Sequence, residues 1–487
     1  MKRIILLILT IGMISSLTAC ANEEKITDDT VATVEVTDDA EKAYLESLPE
    51  RDYGGQDFNI LCTTNTEGFY KIPEMSGESI PNSVYKRNIE VEDKYGVQLV
   101  YESMDGNRNG SSAFQTRVRN SVMAADDGFD VIVGQCYYML PLASEGSLMN
   151  LKESEYLHWD MPWYSSNIND NGVINGKLYG ASGSYIMSQI SYAMGIFFNK
   201  QMYAEQNFAE GDIYELVRNK EWTYETFYNM CANFYSDLNN DQQSNEGDLF
   251  GYVYNVHGIE ASITGSDCPI VEYDANGTPS IENYYDDHLI EVFESYFDFY
   301  NYSQGVKRFG ADDAPTIQLG AGKALFANAQ LGMMVDCAQL RNSNYDYGIV
   351  PVPMYDSEQE NYLTYTMRWE LFYIPVNADM EKSSIILEYL NYTTEKNVLP
   401  AYWEEALNLR AADAPDDSEM LYLIRDCLYY DFASFYGMEM GGIYRDPTGQ
   451  GGIVTLIEKG DDGLSGWWSS GRNSFKLRLK QVIKNYG

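Results

Sequence analysis

Residues 175–200 read NGKLYGASGSYIMSQISYAMGIFFNK. Two apolar runs, Lys177–Ala181 and Ser191–Phe198, flank a polar, aromatic patch, Ser182–Gln189. The runs predict two strands and the patch the loop between them. Asn199-Lys200 then passes into a helix-like segment, Gln201–Gln206. The patch carries Ser182, Ser184, Tyr185 and Gln189, side chains that suit a hydroxyl-rich ligand.

On its N-terminal side the chain alternates. Phe58–Cys62 (FNILC) predicts a buried strand. A helix begins near Pro81, places Val84, Tyr85, Asn88, Val91 and Tyr95 near one face, and ends at Gly96. Val97–Tyr101 is the next strand, Phe114, Val118 and Val122 mark a second helix, and Phe129–Val133 (FDVIV) is a third strand. The order β-α-β-α-β implies an α/β class with a mostly parallel sheet covered on both faces. Ligands on such sheets bind at the carboxyl ends of the strands, here Thr63–Asn65 and Gly134–Tyr138.

On the C-terminal side, Trp222–Asn233 predicts a helix capped by Thr223, Ser236–Phe250 a polar loop, and Asp287–Tyr300 another helix. Leu331–Val335 and Tyr347–Val350 predict strands, two β-like runs surround Trp369, and Ile385–Tyr392 and Phe475–Tyr486 predict helices. Trp467-Trp468 lies in SGWWSSG, read as a loop whose tryptophans stack on a ligand or anchor a lobe edge.

The extreme N-terminus is an export signal: Lys2 and Arg3, an apolar run too short to span a bilayer, then Leu17-Thr18-Ala19-Cys20. The last four residues resemble a bacterial lipobox. That resemblance implies cleavage before Cys20 and acylation of its thiol, with chains such as palmitate holding residue 20 in the outer leaflet. Residues 21–52 are polar and acidic and predict a tether. About 430 residues follow with globular composition, enough for at least two domains.

The formal charge of −40, or −42 without Lys2 and Arg3, argues against nucleic acid and against a cationic membrane-binding face. Besides Cys20 there are six scattered cysteines with no C-x-x-C spacing, which predicts free thiols rather than a zinc or redox site.

Together the pieces resemble the extracellular solute-binding lipoproteins of ATP-binding-cassette (ABC) sugar importers. They are the lipobox, FDVIVGQ…LASEGSLMNL, NGKLYG with FFNKQMY, EWTYETF, GKALF, YDYGIVPVPMYD and LEYLNY…LPAYWEEAL. The resemblance implies a two-lobe periplasmic-binding-protein-like fold with a ligand cleft between lobes. It divides the chain into a signal (1–19), a lipidated cysteine and tether (20–55), one lobe from 56–155 plus 324–375, and the other from 156–323 plus 376–487. It further implies a small-molecule ligand, expected to be an oligosaccharide, delivery to ABC permease subunits, membrane attachment through the lipid on the extracytoplasmic face, and a monomer.

Sugars need flat rings for their faces and polar groups for their rims. Strand-end placement selects Thr64, Asn65, Gln135, Tyr137 and Tyr138, with Tyr185 from residues 175–200 and Trp369 and Trp403 from later segments. Asp237, Asn239, Asp241 and Asp248 space oxygen ligands as in a calcium loop, although Gln242 stands where glycine is expected and the final acid is aspartate. A structural calcium is one reading and a solvated loop the other. No other cofactor is expected.

Enzyme motifs are weaker. Gly180–Ser184 fails the nucleophile elbow at its last position, Thr448–Gly452 lacks the lysine of a phosphate loop, and His158, His257 and His288 are far apart. A surface glycan-degrading enzyme, which needs only two carboxylates, and a non-transport binding or adhesion lipoprotein remain the alternatives.

Overall fold

The computed structural model describes residues 38–126, 128–273, 278–408, 415–443 and 452–486. Cys20, most of the tether and residues 448–451 of the glycine-rich run lie outside the described residues.

Helix α1 (Asp38–Ser47) precedes strand β1 (Gln56–Thr63). Helix α2 (Ser79–Tyr95) stops at Gly96, whose φ of +58° is the left-handed cap expected of glycine. β2 (Val97–Met104), α3 (Ser111–Ala124) and β3 (Val131–Gln135) complete the predicted alternation. β1 pairs in parallel with both β2 and β3, with Phe58 opposite Leu99 and Ile60 opposite Val131. Phe58, Ile60 and Cys62 pack on one face of the sheet and Leu61 on the other, as the two-residue period of a strand requires.

A second sheet is built from β4 (Met194–Asn199), β5 (Tyr235–Ser236), β6 (Leu249–Tyr254), β9 (Val306–Arg308), β10 (Ala324–Gln330) and β11 (Tyr347–Val350), while β7 (Glu272–Tyr273) and β8 (Pro279–Ser280) form a separate hairpin. Its strand order is β11-β4-β10-β6-β5, with β9 also on β6. The last strand, β12 (Glu370–Tyr373), returns to the first sheet and lies antiparallel to β3. Two sheets, each with its own helices, give the two lobes.

Three chain segments cross between them side by side. Met194 N–H donates to Tyr365 O (2.9 Å), Met367 N–H to Tyr192 O (3.1 Å), and Thr364 N–H to Cys427 O (2.7 Å). Such main-chain pairing holds the three segments together at the crossing.

The strand pairing corrects the expected boundaries. Residues 324–350 belong to the second sheet, because Phe326 pairs with Phe198 and Ile349 with Phe197. Residues 156–190 stay on the first lobe, where Trp163, Leu178, Tyr185 and Ile186 join the core of Phe58, Ile60 and Val133. The helix Met380–Thr393 packs there too, through Ile385, Ile386 and Leu390. Short apolar runs do not state which sheet they join; pairing partners far away in sequence decide that.

Residues 175–200 also differ from their reading. Lys177–Ala181 makes only isolated bridges, Ala181 to Phe372 among them, and Met187–Ser191 is a short helix. Likewise the predicted strand at Leu331–Val335 is the turn and short helix after β10.

Trp467 and Trp468 lie in the long terminal helix Leu464–Tyr486, not in a loop. Trp468 is buried with its ring 5.4 Å from Tyr284 and 6.1 Å from Tyr285, beside the second lobe. At the other end of that helix the Tyr486 hydroxyl reaches Leu140 O (2.8 Å) on the first lobe and Glu439 (2.6 Å). The six cysteines from Cys62 to Cys427 are free thiols.

Candidate functional site

The carboxyl ends of β1, β2 and β3 open toward the crossing segments. After β1, Thr64 and Asn65 are exposed. After β3, Gln135 donates to Asn107 Oδ1 (3.2 Å), and Arg368 from the second crossing donates to the same oxygen. The Arg368 guanidinium lies 5.0 Å from the Tyr192 ring. Among the described residues it forms no ion pair with a carboxylate, in a chain with 73 acidic residues and 33 lysines and arginines.

Trp369 follows directly and is half-buried; its carbonyl accepts from Cys136 N–H (2.7 Å), which sets it beside Tyr137 and Tyr138. The Tyr137 and Tyr138 rings meet edge to face at 5.1 Å, and Tyr365 meets Trp369 edge to face at 6.1 Å.

The second lobe supplies the opposite wall from the carboxyl end of β6. Asn255 caps the helix Val256–Gly265 by accepting from His257 N–H (3.0 Å). Glu260, one turn on, accepts from the Tyr365 hydroxyl (2.7 Å) and shares a short contact with His257 Nδ1 (2.5 Å). A small recess of about 20 Å³, room for little more than one water, lies here, lined by Ile263, Cys268, Tyr365, Trp369, Tyr429 and Asp431. Burial pushes the Asp431 carboxyl up to about 6, although the Ala433, Ile270 and Val271 N–H groups favour its charged form.

The predicted site residues therefore separate. Gln135, Tyr137, Tyr138 and Trp369 come together near the crossing, with Thr64 and Asn65 on the neighbouring strand end. Tyr185 does not join them: it is 0% exposed in the first lobe's core, against Tyr70 (5.1 Å) and under the Arg87 guanidinium (4.9 Å). Trp403 is 2% exposed and packs on Tyr402 and Tyr422. Both belong to packed interior, because neither sits at a strand end.

The polar patch around Tyr185 serves the fold. Ser188 Oγ donates to Glu370 (2.6 Å), Gln189 to the Glu370 carbonyl (2.5 Å), and Ser184 to Glu395 (2.6 Å). Thr63 completes the shell of the wholly buried Glu370 carboxylate at 2.7 Å. A larger hollow of about 150 Å³ borders Ser184, Glu395 and Arg425. None of the strand-end residues lines it, and its charges already pair with each other, Arg425 with Glu395 at 2.9 Å.

His257, Glu260, Tyr365, Asn107 and Arg368 were missed. The signal for the first two was the strand-end rule applied to LFGYVY (249–254), a run overlooked beside the polar loop before it.

The sequence matches the family of bacterial extracellular solute-binding proteins over residues 79–367. The chain belongs to that family. Solved structures of similar fold agree with that membership. One is a cyclo/maltodextrin-binding protein complexed with maltotetraose (TM-score 0.54, 12% identity, covering 89% of this chain and 99% of that one). A second is a cyclic α-maltosyl-1,6-maltose binding protein from Arthrobacter globiformis (0.52, 14%, 89% and 100%). A third is the maltose-maltodextrin binding protein of Alicyclobacillus acidocaldarius (0.52, 12%, 87% and 100%). At these identities the likeness establishes the fold of this solute-binding protein alone. No curated protein sequence matches it. Among the described residues, no helix is long and apolar enough to cross a membrane.

Proposed function

We propose that this solute-binding protein captures an oligosaccharide between its lobes and delivers it to an ABC importer, while held on the extracytoplasmic face of the cell membrane by a lipid on Cys20. The observation that carries the sugar reading is the grouping of Trp369, Tyr365, Tyr137 and Tyr138 with Gln135, Asn107 and Arg368 at the strand ends. Rings cover the apolar faces of pyranosides, while amides and the guanidinium bond their hydroxyls. The maltodextrin ligands named for the structural relatives support the same class. The lipobox supports the anchor.

Binding without turnover is the favoured mode. Glu260, a buried carboxylate bonded to Tyr365, is already engaged by Tyr365 and His257, so it is poorly placed to serve as a free acid or nucleophile. The test is a thermal-shift screen over oligosaccharides, peptides and amino acids, with an assay for new reducing ends on each glycan. A saturable shift with an oligosaccharide and no new ends is expected. A shift with peptides alone, or release of reducing ends, would overturn the reading.

A further inference from the structure

The far end of β6 carries a different site. Between β5 and β6 the chain reads DLNNDQQSNEGD (237–248), with oxygen-bearing side chains at the first, third, fifth, seventh, ninth and twelfth positions. Those are the positions from which a twelve-residue calcium loop draws its ligands. The objection that Gln242 replaces glycine at the sixth position loses force in the structure, because Gln242 adopts φ +60°, the left-handed turn that glycine normally supplies there.

Loop shape alone assigns nothing. The deciding feature is two carboxylate oxygens without partners. Asp248 is wholly buried; its Oδ2 accepts from the Tyr235 hydroxyl (3.0 Å) and from Asn245 N–H (3.1 Å), whereas its Oδ1 is buried with no hydrogen-bond donor. Asp237 is arranged the same way: Oδ2 accepts from Gln242 N–H (2.9 Å) and Oδ1 is buried without a donor. Each carboxylate is held by one oxygen and keeps the other bare. A buried, unpaired anionic oxygen is costly unless a cation meets it.

Asp241 and the amides of Asn239 and Asn245 meet beside them; Asn245 and Asn239 lie 2.8 and 3.1 Å from Asp241 Oδ2. No lysine or arginine pairs with the three aspartates among the described residues. The nearby lysines bind loop carbonyls instead, Lys307 at Ser244 (2.8 Å) and Lys323 at Glu246 (2.8 Å).

We propose that residues 237–248 bind one calcium ion, with Asp237, Asn239, Asp241, Asn245 and Asp248 as side-chain ligands and the Gln243 carbonyl as the main-chain ligand. No three His, Cys, Asp or Glu side chains among the described residues converge tightly enough to hold a metal by themselves. A cation here would therefore draw much of its shell from amide and carbonyl oxygens, donors that suit a hard ion. Calcium accepts six to eight such oxygens in flexible geometry; magnesium demands a tighter octahedron. The loop precedes β6, and the strand-end site follows it, so the ion acts on the fold and not on the solute. It clamps β5, a two-residue strand, onto β6 at the sheet edge.

The test uses the full chain stripped with EGTA, followed by titration with calcium chloride and, separately, magnesium chloride. Calorimetry is expected to give about one calcium per chain with a dissociation constant of about 0.1 to 1 mM, the range of extracellular calcium modules, and calcium is expected to raise the melting temperature by several degrees. Asp241→Asn, an exposed position that leaves the buried carboxylates in place, is expected to weaken calcium binding about tenfold or more; Asp248→Asn is expected to abolish it. Terbium luminescence sensitised by Tyr235 and displaced by calcium places the ion at this loop. Absence of calcium-specific heat and stabilisation, an equal response to magnesium, or unchanged binding in Asp241→Asn would each overturn the assignment.

Discussion

The Tyr365 hydroxyl donates to Glu260 across 2.7 Å, joining a crossing segment to the first helix after β6. Glu260 is 2% exposed, so this bond removes a buried carboxylate oxygen from the list of unmet acceptors. Tyr365→Phe deletes the donor and keeps the ring. Leaving one buried acceptor short costs about 1–3 kcal/mol, and scanning calorimetry is expected to show a melting temperature lower by several degrees. Ligand affinity should fall as well, because the ring then loses its fixed angle to Trp369.

Trp369 and Arg368 are the side chains on which solute binding should depend most. Truncating a ring proposed to stack on a sugar, or a cation at the crossing that forms no ion pair with a carboxylate among the described residues, is expected to remove a central contact of the kind that dominates interfaces. Trp369→Ala and Arg368→Ala are each expected to weaken binding of the best oligosaccharide by at least about tenfold, equivalent to about 1.4 kcal/mol. Isothermal titration measures this; wild-type affinity in both variants would reject the site.

Tyr185→Ala and Trp403→Ala should behave in the opposite way. Both side chains are packed interior, and large-to-small changes there cost about 3–5 kcal/mol for an aromatic ring. Denaturant titration is expected to show that loss. The fraction that remains folded should bind solute with an affinity close to that of the parent protein.

Glu388 gives a pH signature. It is wholly buried on the helix Met380–Thr393, and burial pushes it from an ordinary value near 4.5 up to about 8, while hydrogen bonds from Tyr164, His158 N–H and Trp163 pull the other way. The folded state then binds this proton more tightly than the unfolded chain. Its contribution to stability is complete below pH 4.5 and is lost as pH rises through 8. Glu388→Gln should flatten the fall in melting temperature across that window, and an unchanged pH profile would count against the assignment.

How much of this was legible in the chain depends on the range of the interactions. α2 and its Gly96 cap, the Thr223 cap and the apolar faces of α3 and of the helix Asp287–Tyr302 are written within a few turns of sequence, and they could be read there. The partners of β10 and β12 are not local: Phe326 pairs with Phe198, and Phe372 with Val133, across well over a hundred residues. Nothing in GKALF distinguishes one lobe from the other. The strand-end rule put Gln135, Tyr137 and Tyr138 at the end of β3, where they stand, because it needs only strand direction. It missed His257 and Glu260 because β6 begins directly after a twelve-residue polar loop. Tyr185 misled for a related reason: serines and glutamine around a tyrosine look the same whether they await a ligand or wire a buried glutamate such as Glu370.

The terminal helix Leu464–Tyr486 is about 35 Å long at 1.5 Å per residue and is fastened at both ends, by Trp468 on one lobe and by Tyr486 on the other. The two bodies cannot part without pivoting at the Tyr486 hydroxyl or breaking its bonds to Leu140 and Glu439. A change in the separation of the two bodies is therefore expected to be felt at Tyr486, and a fluorophore on the exposed Asn485 beside it is expected to report such a change from outside the candidate site.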